Sequence, residues 1–367
     1  MSRLRVPKNI ESLKPYPPGK PIKELERELG VSGAIKLASN ESPFGPPPGA
    51  VKAIEASLSE LNRYPDGSGY YLKQKLASHL DQPPERIVLG CGTNEILDLI
   101  CRIFVGPGHK AVLPHPTFLV YQKFLQAVGA EAVLTPLKEM TVDLGALSRA
   151  VDDRTRLVVV CNPNNPTGTA LSLAQISRFV ADLPDDLVVL IDEAYLDFVR
   201  DPEVGSGLSL VSVDKNLVVT RTFSKIYGLA GLRIGFGVMS EAMASYLNRV
   251  RQPFNVTSPA LAAAEAALDD QDFLSRVKER AWAGLDFLKQ GLSDLGLEVV
   301  PSQTNFLLFK VPGRAEVVYQ EMMKRGVIIR HMASFGLDDY LRVSVGTETE
   351  NRTFLSELGR LVAEIEK

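Results

Sequence analysis

Short apolar runs recur along the middle of the chain: Ile87-Val88-Leu89, Ala111-Val112-Leu113, Ala132-Val133-Leu134, Leu157–Val160, Leu187–Ile191 and a β-branched run ending at Thr220. Strands covered on both faces read as continuous apolar runs of this kind, without a polar alternation. Glycine turns and helical patterns lie between them, with helices expected to about residue 104 and at about 117–128. Strand, turn and helix in alternation predict an α/β fold with a mainly parallel sheet. Upstream, Ile22–Leu29 has the period of a short amphipathic helix that Gly30 stops, and helices follow at about 49–60 and 69–80. Five prolines (Pro7, Pro15, Pro17, Pro18, Pro21) predict an extended start. After about 250 the texture changes. Long helices are expected at about 258–269 and 271–293, then strands near 298–300, 306–310, 327–330 and 340–345, with helices at about 314–325 and 348–366. The pattern thus predicts an N-terminal arm over 1–48 joining a small domain, a large α/β domain over 49–250, and a smaller α+β domain over 251–367.

Polar clusters follow the apolar runs: Gly92–Glu95, Asn162–Gly168, Asp192–Tyr195 and Thr222–Lys225. In open parallel sheets the ligand sits beyond the carboxyl ends of the strands, where these clusters fall. Gly90-Cys91-Gly92-Thr93-Asn94-Glu95 is either an anion site at a helix start or a plain cap. Its glycines lack the GxGxxG spacing of a dinucleotide site. The prolines of Asn162–Gly168 fix a sharp turn that orients an asparagine amide. Asp192 closes an apolar strand, where a carboxylate needs a cation or donor; alternatively it caps a helix. Lys225 sits between hydroxyl residues and a turn with Gly228 and Gly231, eight residues before Arg233. Burial there would lower its pKa as an amine nucleophile requires, and the hydroxyls and arginine would suit a phosphate. A Schiff-base lysine beside a phosphate site suggests pyridoxal phosphate, whereas the Ser224-Lys225 pair taken alone reads as a surface lysine at a strand end. Arg330 and Arg342, within strand patterns, suggest anionic partners or structural salt bridges.

Composition narrows the field. A net charge of -3 over 367 residues gives no general attraction to nucleic acid or anionic membranes. No secretory h-region follows Met1, and no apolar run has the length of a membrane span, so a cytoplasmic protein is expected. Cys91, Cys101 and Cys161 form no CxxC pair, and the four histidines are scattered. No metal site is expected.

In order and content, these motifs resemble the fold-type I pyridoxal-phosphate-dependent aminotransferases, and more narrowly the histidinol-phosphate aminotransferase family. The resemblance rests on Asn40–Pro46, Arg63-Tyr64-Pro65-Asp66, Asn164–Gly168, Asp192–Tyr195, and Thr222–Lys225 with Arg233. It implies a pyridoxal 5'-phosphate cofactor linked to Lys225, which would also move the substrate's Cα proton. Asp192 would keep the pyridine nitrogen protonated, and Tyr195 and Asn165 would bond the ring's phenolic oxygen. Thr222, Ser224, Arg233 and the backbone of Gly92, Thr93 and Asn94 would hold the phosphate. Tyr64 would reach it from the neighbouring subunit of a homodimer. Phe118 would stack on the ring; many relatives have tyrosine there. Tyr16, Asn40, Asn305, Arg330 and Arg342 fall at positions the family uses near substrate.

The implied reaction exchanges an amino group between L-histidinol phosphate and glutamate/2-oxoglutarate in histidine biosynthesis. Competing expectations on the same scaffold are an aromatic-amino-acid aminotransferase and a threonine-phosphate decarboxylase. A cofactor-sensing regulator would need a separate basic DNA-binding segment, and the resemblance already begins by about Pro15.

Overall fold

The computed structural model describes residues 4–15, 19–212 and 215–365. After a short first strand, β1 (Ile35–Lys36), seven strands build one sheet. They are β2 (Ile87–Gly90), β3 (Lys110–His115), β4 (Glu131–Pro136), β5 (Thr155–Cys161), β6 (Val188–Asp192), β7 (Asn216–Thr222) and β8 (Gly235–Val238). Their order is β2-β8-β7-β6-β5-β3-β4, with β8 antiparallel to both neighbours and all other pairs parallel. Alternate residues of the central strands feed two cores on opposite faces. Val158, Val160, Val189 and Ile191 enter one; Leu157, Val159, Val188 and Leu190 enter the other. This double burial is why the strands read as unbroken apolar runs.

The strand β8 was not expected, because Gly235-Phe236-Gly237-Val238 reads as turn-rich. The glycine has a packing reason. A Cβ on Gly235 would lie 2.8 Å from the Thr93 backbone nitrogen, so only glycine lets the helix Thr93–Phe104 start against this strand.

The later strands are β9 (Phe306–Lys310), β10 (Val327–Ile328), β11 (Arg330–His331) and β12 (Tyr340–Ser344). The order β11-β12-β9 makes an antiparallel sheet, while β10 pairs in parallel with β1. The single strand expected at 327–330 is therefore two, and the chain changes sheet at Ile329. The strand expected at 298–300 reduces to an isolated bridge between Val299 and Phe309.

Packing does not change at residue 250, where the domain boundary was expected. Helix Ser258–Asp269 buries Ala260, Ala263, Ala264 and Ala267 in the core of the large sheet. Such small side chains let it lie close to its neighbours, the helices Pro48–Ser57 and Tyr70–Leu80. The change comes inside the next helix, Gln271–Asp294. Leu274, Val277 and Ala281 belong to the large core, whereas Leu285, Leu288 and Leu292 belong to the core around β9 and β12. A Cβ on Gly284 would come 2.5 Å from Val345, so glycine lets this helix press on the segment after β12.

The arm also spans both parts. Its short helix Lys8–Glu11 lies on the large part, where Asn9 Nδ2 donates to Gln126 O (2.9 Å) and Ala127 O (3.1 Å). Leu25, Ala34 and Ala38 pack instead with Met323 and Ile328 of the smaller part.

Candidate active site

A cleft of about 600 Å³ opens where the carboxyl ends of β5, β6 and β7 meet the arm and the smaller part. That volume is ample for a small cofactor with a substrate. Each strand end delivers the polar cluster that follows it.

Asp192, the last residue of β6, is only 3% exposed and lines the cleft. Its Oδ2 accepts a 2.7 Å bond from Tyr121 Oη, and its Oδ1 accepts from Ala194 N at 3.2 Å. Burial raises its pKa, and those hydrogen bonds pull the other way. Among the described residues it makes no ion pair. A buried carboxylate in that state suits a cationic N–H group of a ligand. Burial and the neighbouring Asp192 charge push the Tyr121 phenol well up, so Tyr121 remains the donor.

Lys225 comes three residues after β7. Its Nζ donates to Ser39 O at 3.1 Å and lies 5.5 Å from the centre of the Tyr195 ring. Burial lowers its pKa to about 8; Arg342 and Arg233 act in the same direction, while Glu41 and Asp192 oppose. Tyr195 is buried, accepts a 2.9 Å bond from Asn40 Nδ2, and meets Phe306 edge-on. Burial raises its phenol pKa, so it too stays protonated.

The third feature is a cationic cradle. Arg233 adopts a left-handed backbone (φ 54°), and its guanidinium donates to Ala230 O at 3.0 Å and Ser224 Oγ at 3.4 Å. A Cβ on Gly92 (φ 70°) would lie 2.5 Å from Arg233 Nη2, so glycine is what admits the arginine there. The helix Thr93–Phe104 starts at this point with free N–H groups. Thr222 Oγ1 accepts from Ser224 N at 3.0 Å and faces the same space. Arginine, hydroxyls and a helix start together fit a phosphate.

The opposite wall comes from distant segments. Arg342 is 6% exposed, lies over the Phe306 ring, and donates to Asn165 Oδ1 (2.5 Å) and Ala38 O (2.8 Å). Asn40, in a left-handed conformation, accepts from Ser344 Oγ through its side chain, and its carbonyl accepts from Asn305 Nδ2 at 3.2 Å. Arg330, Phe118, Thr93 and Asn94 also line the cleft, and Phe118 meets Tyr121 edge-on.

Three of the expected residues stand apart from the cleft wall, and one cannot be placed. Tyr64 is 81% exposed on the outer surface, Asn305 lies behind Asn40, and Gly92 sits at the helix cap. Tyr16 lies outside the described residues. The sequence reading missed Tyr121 and Ser39. Tyr121 left one trace, a phenol among apolar positions of the helix Val120–Ala127.

Comparison with known proteins agrees with this geometry. Residues 32–358 match the family Aminotransferase class I and II. A protein of Desulfotalea psychrophila named histidinol-phosphate aminotransferase is 45% identical, over 99% of this chain and 97% of its own. A histidinol-phosphate aminotransferase 2 of Pseudomonas aeruginosa is 46% identical, over 96% of each chain. The crystal structure of histidinol-phosphate aminotransferase from Sinorhizobium meliloti with pyridoxal-5'-phosphate superposes with a TM-score of 0.91 at 29% identity, covering 100% of this chain and 99% of that one.

Proposed function

Because the chain belongs to aminotransferase class I and II, we propose that it exchanges an amino group between two substrate pairs. These are L-histidinol phosphate with imidazole acetol phosphate, and glutamate with 2-oxoglutarate, in histidine biosynthesis; the cofactor is pyridoxal 5'-phosphate. One observation carries the reading: a single cleft joins an amine lowered to about 8 to a carboxylate that is buried and, among the described residues, without an ion pair, and to an arginine cradle at a helix start.

When bound, the cofactor supplies an electron-withdrawing ring that takes up charge as the substrate's Cα proton leaves. The residues do the rest. Lys225 Nζ would hold the cofactor at its aldehyde carbon, water leaving as the link forms, and would carry the Cα proton, for which an amine near neutrality is suited. Asp192 holds a proton at the ring nitrogen, and Tyr121 keeps that carboxylate oriented. Tyr195 accepts from Asn40, so its own proton is available for the phenolic oxygen. Asn165 uses its carbonyl on Arg342, which leaves its amide NH2 for the same oxygen. Thr222, Ser224, Arg233 and the N–H groups of Gly92, Thr93 and Asn94 hold the phosphate, and Phe118 covers a ring face. Arg342 and Arg330 receive the anionic ends of the substrates, with Asn40 and Asn305 shaping the wall; Tyr16 is assigned to substrate by resemblance alone.

Two copies form the working unit in this reading, with Tyr64 serving its neighbour's phosphate. The exposed Leu58, Leu61, Tyr64, Tyr70 and Tyr71 support an interface on that side. The compartment proposed is the cytoplasm, which suits three free cysteines.

The test is direct. The purified protein with L-histidinol phosphate and 2-oxoglutarate should form glutamate, with phenylalanine a poorer donor and threonine phosphate yielding no CO2. Fast turnover of phenylalanine with none of histidinol phosphate would refute the substrate assignment.

A further inference from the structure

Phe254 has a backbone conformation that a bulky side chain rarely adopts, with φ 56°. It is also 45% exposed, so core packing does not explain it. Its ring is stacked on Tyr64, with centroids 4.6 Å apart and planes 17° apart. Beneath the pair runs Gly67, where a Cβ would meet the Phe254 ring at 3.3 Å.

The surrounding bonds hold this turn rigidly. Arg251 donates to Gly67 O at 2.6 Å, which ties the turn to the loop that carries Tyr64, and to Asn255 Oδ1 at 3.0 Å. Asn255 Nδ2 donates in turn to Leu89 O (3.1 Å) and to Glu95 Oε2 (2.7 Å). Glu95 also accepts from Cys91 N at 2.5 Å, beside the start of the helix Thr93–Phe104. Strained backbone persists where its surroundings over-determine it, and it marks places with a task.

We infer that Phe254 is a positioning residue that props the Tyr64 ring, from one copy, against the cofactor phosphate of the other. The turn 251–255 thereby serves two sites at once. Through Asn255 and Glu95 it braces the phosphate cradle of its own chain, and through Phe254 it aims its own chain's Tyr64 at the partner's cradle. An unsupported tyrosine at this exposure would sample many rotamers; a stacked ring holds it to few. The inference rests on the two-copy reading given above.

Hybrid dimers test it by cofactor retention, read as the absorbance of the lysine-linked cofactor during dialysis. In one hybrid, Lys225→Ala chains are paired with Phe254→Ala chains. The only site able to link the cofactor then receives Tyr64 from a chain with Phe254 intact. In the other, the unaltered chain is paired with Lys225→Ala/Phe254→Ala, and the linking site receives an unsupported Tyr64. The second hybrid should lose cofactor about 2- to 10-fold faster than the first, as loss of an aromatic pair predicts. Phe254→Tyr in place of Phe254→Ala should restore retention. Equal loss from both hybrids would overturn the proposal and assign Phe254 to its own chain's fold. Failure of tagged chains to form any hybrid would overturn it by removing the two-copy reading on which it stands.

Discussion

The two walls of the cleft are built in different ways. The wall proposed to hold the cofactor comes from the ends of neighbouring strands in one sheet: Asp192 from β6, Thr222 from β7 and Asn165 just after β5. The strand ladder sets their spacing before any side chain forms a bond. The wall proposed for substrate is framed only in part: Arg330 and Arg342 are cross-strand partners in β11 and β12. Asn40 and Asn305 join them from distant segments, and hydrogen bonds from side chains hold that junction in place. The first wall should tolerate loss of a side chain structurally and fail chemically; the second should lose its shape when a bond is removed.

The largest effect is expected at Lys225. Lys225→Ala should remove the absorbance of the lysine-linked cofactor and lower turnover by more than about 10³-fold, through loss of both the covalent link and the proton carrier. Thermal unfolding should be nearly unchanged, as the cofactor wall is framed by backbone. Asp192→Ala should leave the linked cofactor visible yet slow proton removal from Cα by about 10²- to 10⁴-fold. Near-normal turnover in that variant would detach Asp192 from the ring.

The lowered Lys225 pKa gives the next test. Attack on the cofactor aldehyde needs the neutral amine. Its population rises with pH up to about 8 and then levels, whereas that of an ordinary lysine would keep rising up to 10.5. The rate at which the cofactor-free protein takes up the cofactor should therefore climb about tenfold per pH unit below 8 and flatten above it. A rate still climbing at pH 9.5 would show the amine to be ordinary. The smallest effect is expected from Arg342→Lys, which keeps the charge but loses the planar fork. It should raise KM for both substrate pairs by about tenfold, with the linked-cofactor absorbance intact. Loss of the linked cofactor from Arg342→Lys on dialysis would erase the distinction between the walls.

The same contrast explains what could be read from residues alone. Asp192, Thr222 and Lys225 stand just after long apolar runs, and the parallel-sheet pattern tells where such ends point. Tyr121 and Ser39 were invisible because their partners, Asp192 and Lys225, lie 71 and 186 positions away. No local period encodes such a meeting. The strand β8 was hidden by its own solution to crowding, since Gly235 makes room for the helix start yet looks like a turn. At 327–331 one continuous extended stretch, apolar only to Ile329, feeds two sheets, and sequence pattern cannot show where a chain changes partners. The helix Leu173–Asp182 was passed over although its capping box, Ser172 with Gln175, was in plain sight.

The helix Gln271–Asp294 has a thermodynamic consequence. At 24 residues it is about 36 Å long, rooted at one end beneath the seven-stranded sheet and at the other beneath the three-stranded one. Melting either half strips the helix of half its contacts, so loss of one destabilises the other. A single calorimetric transition is thus expected, in which the seven-stranded and three-stranded sheets melt together.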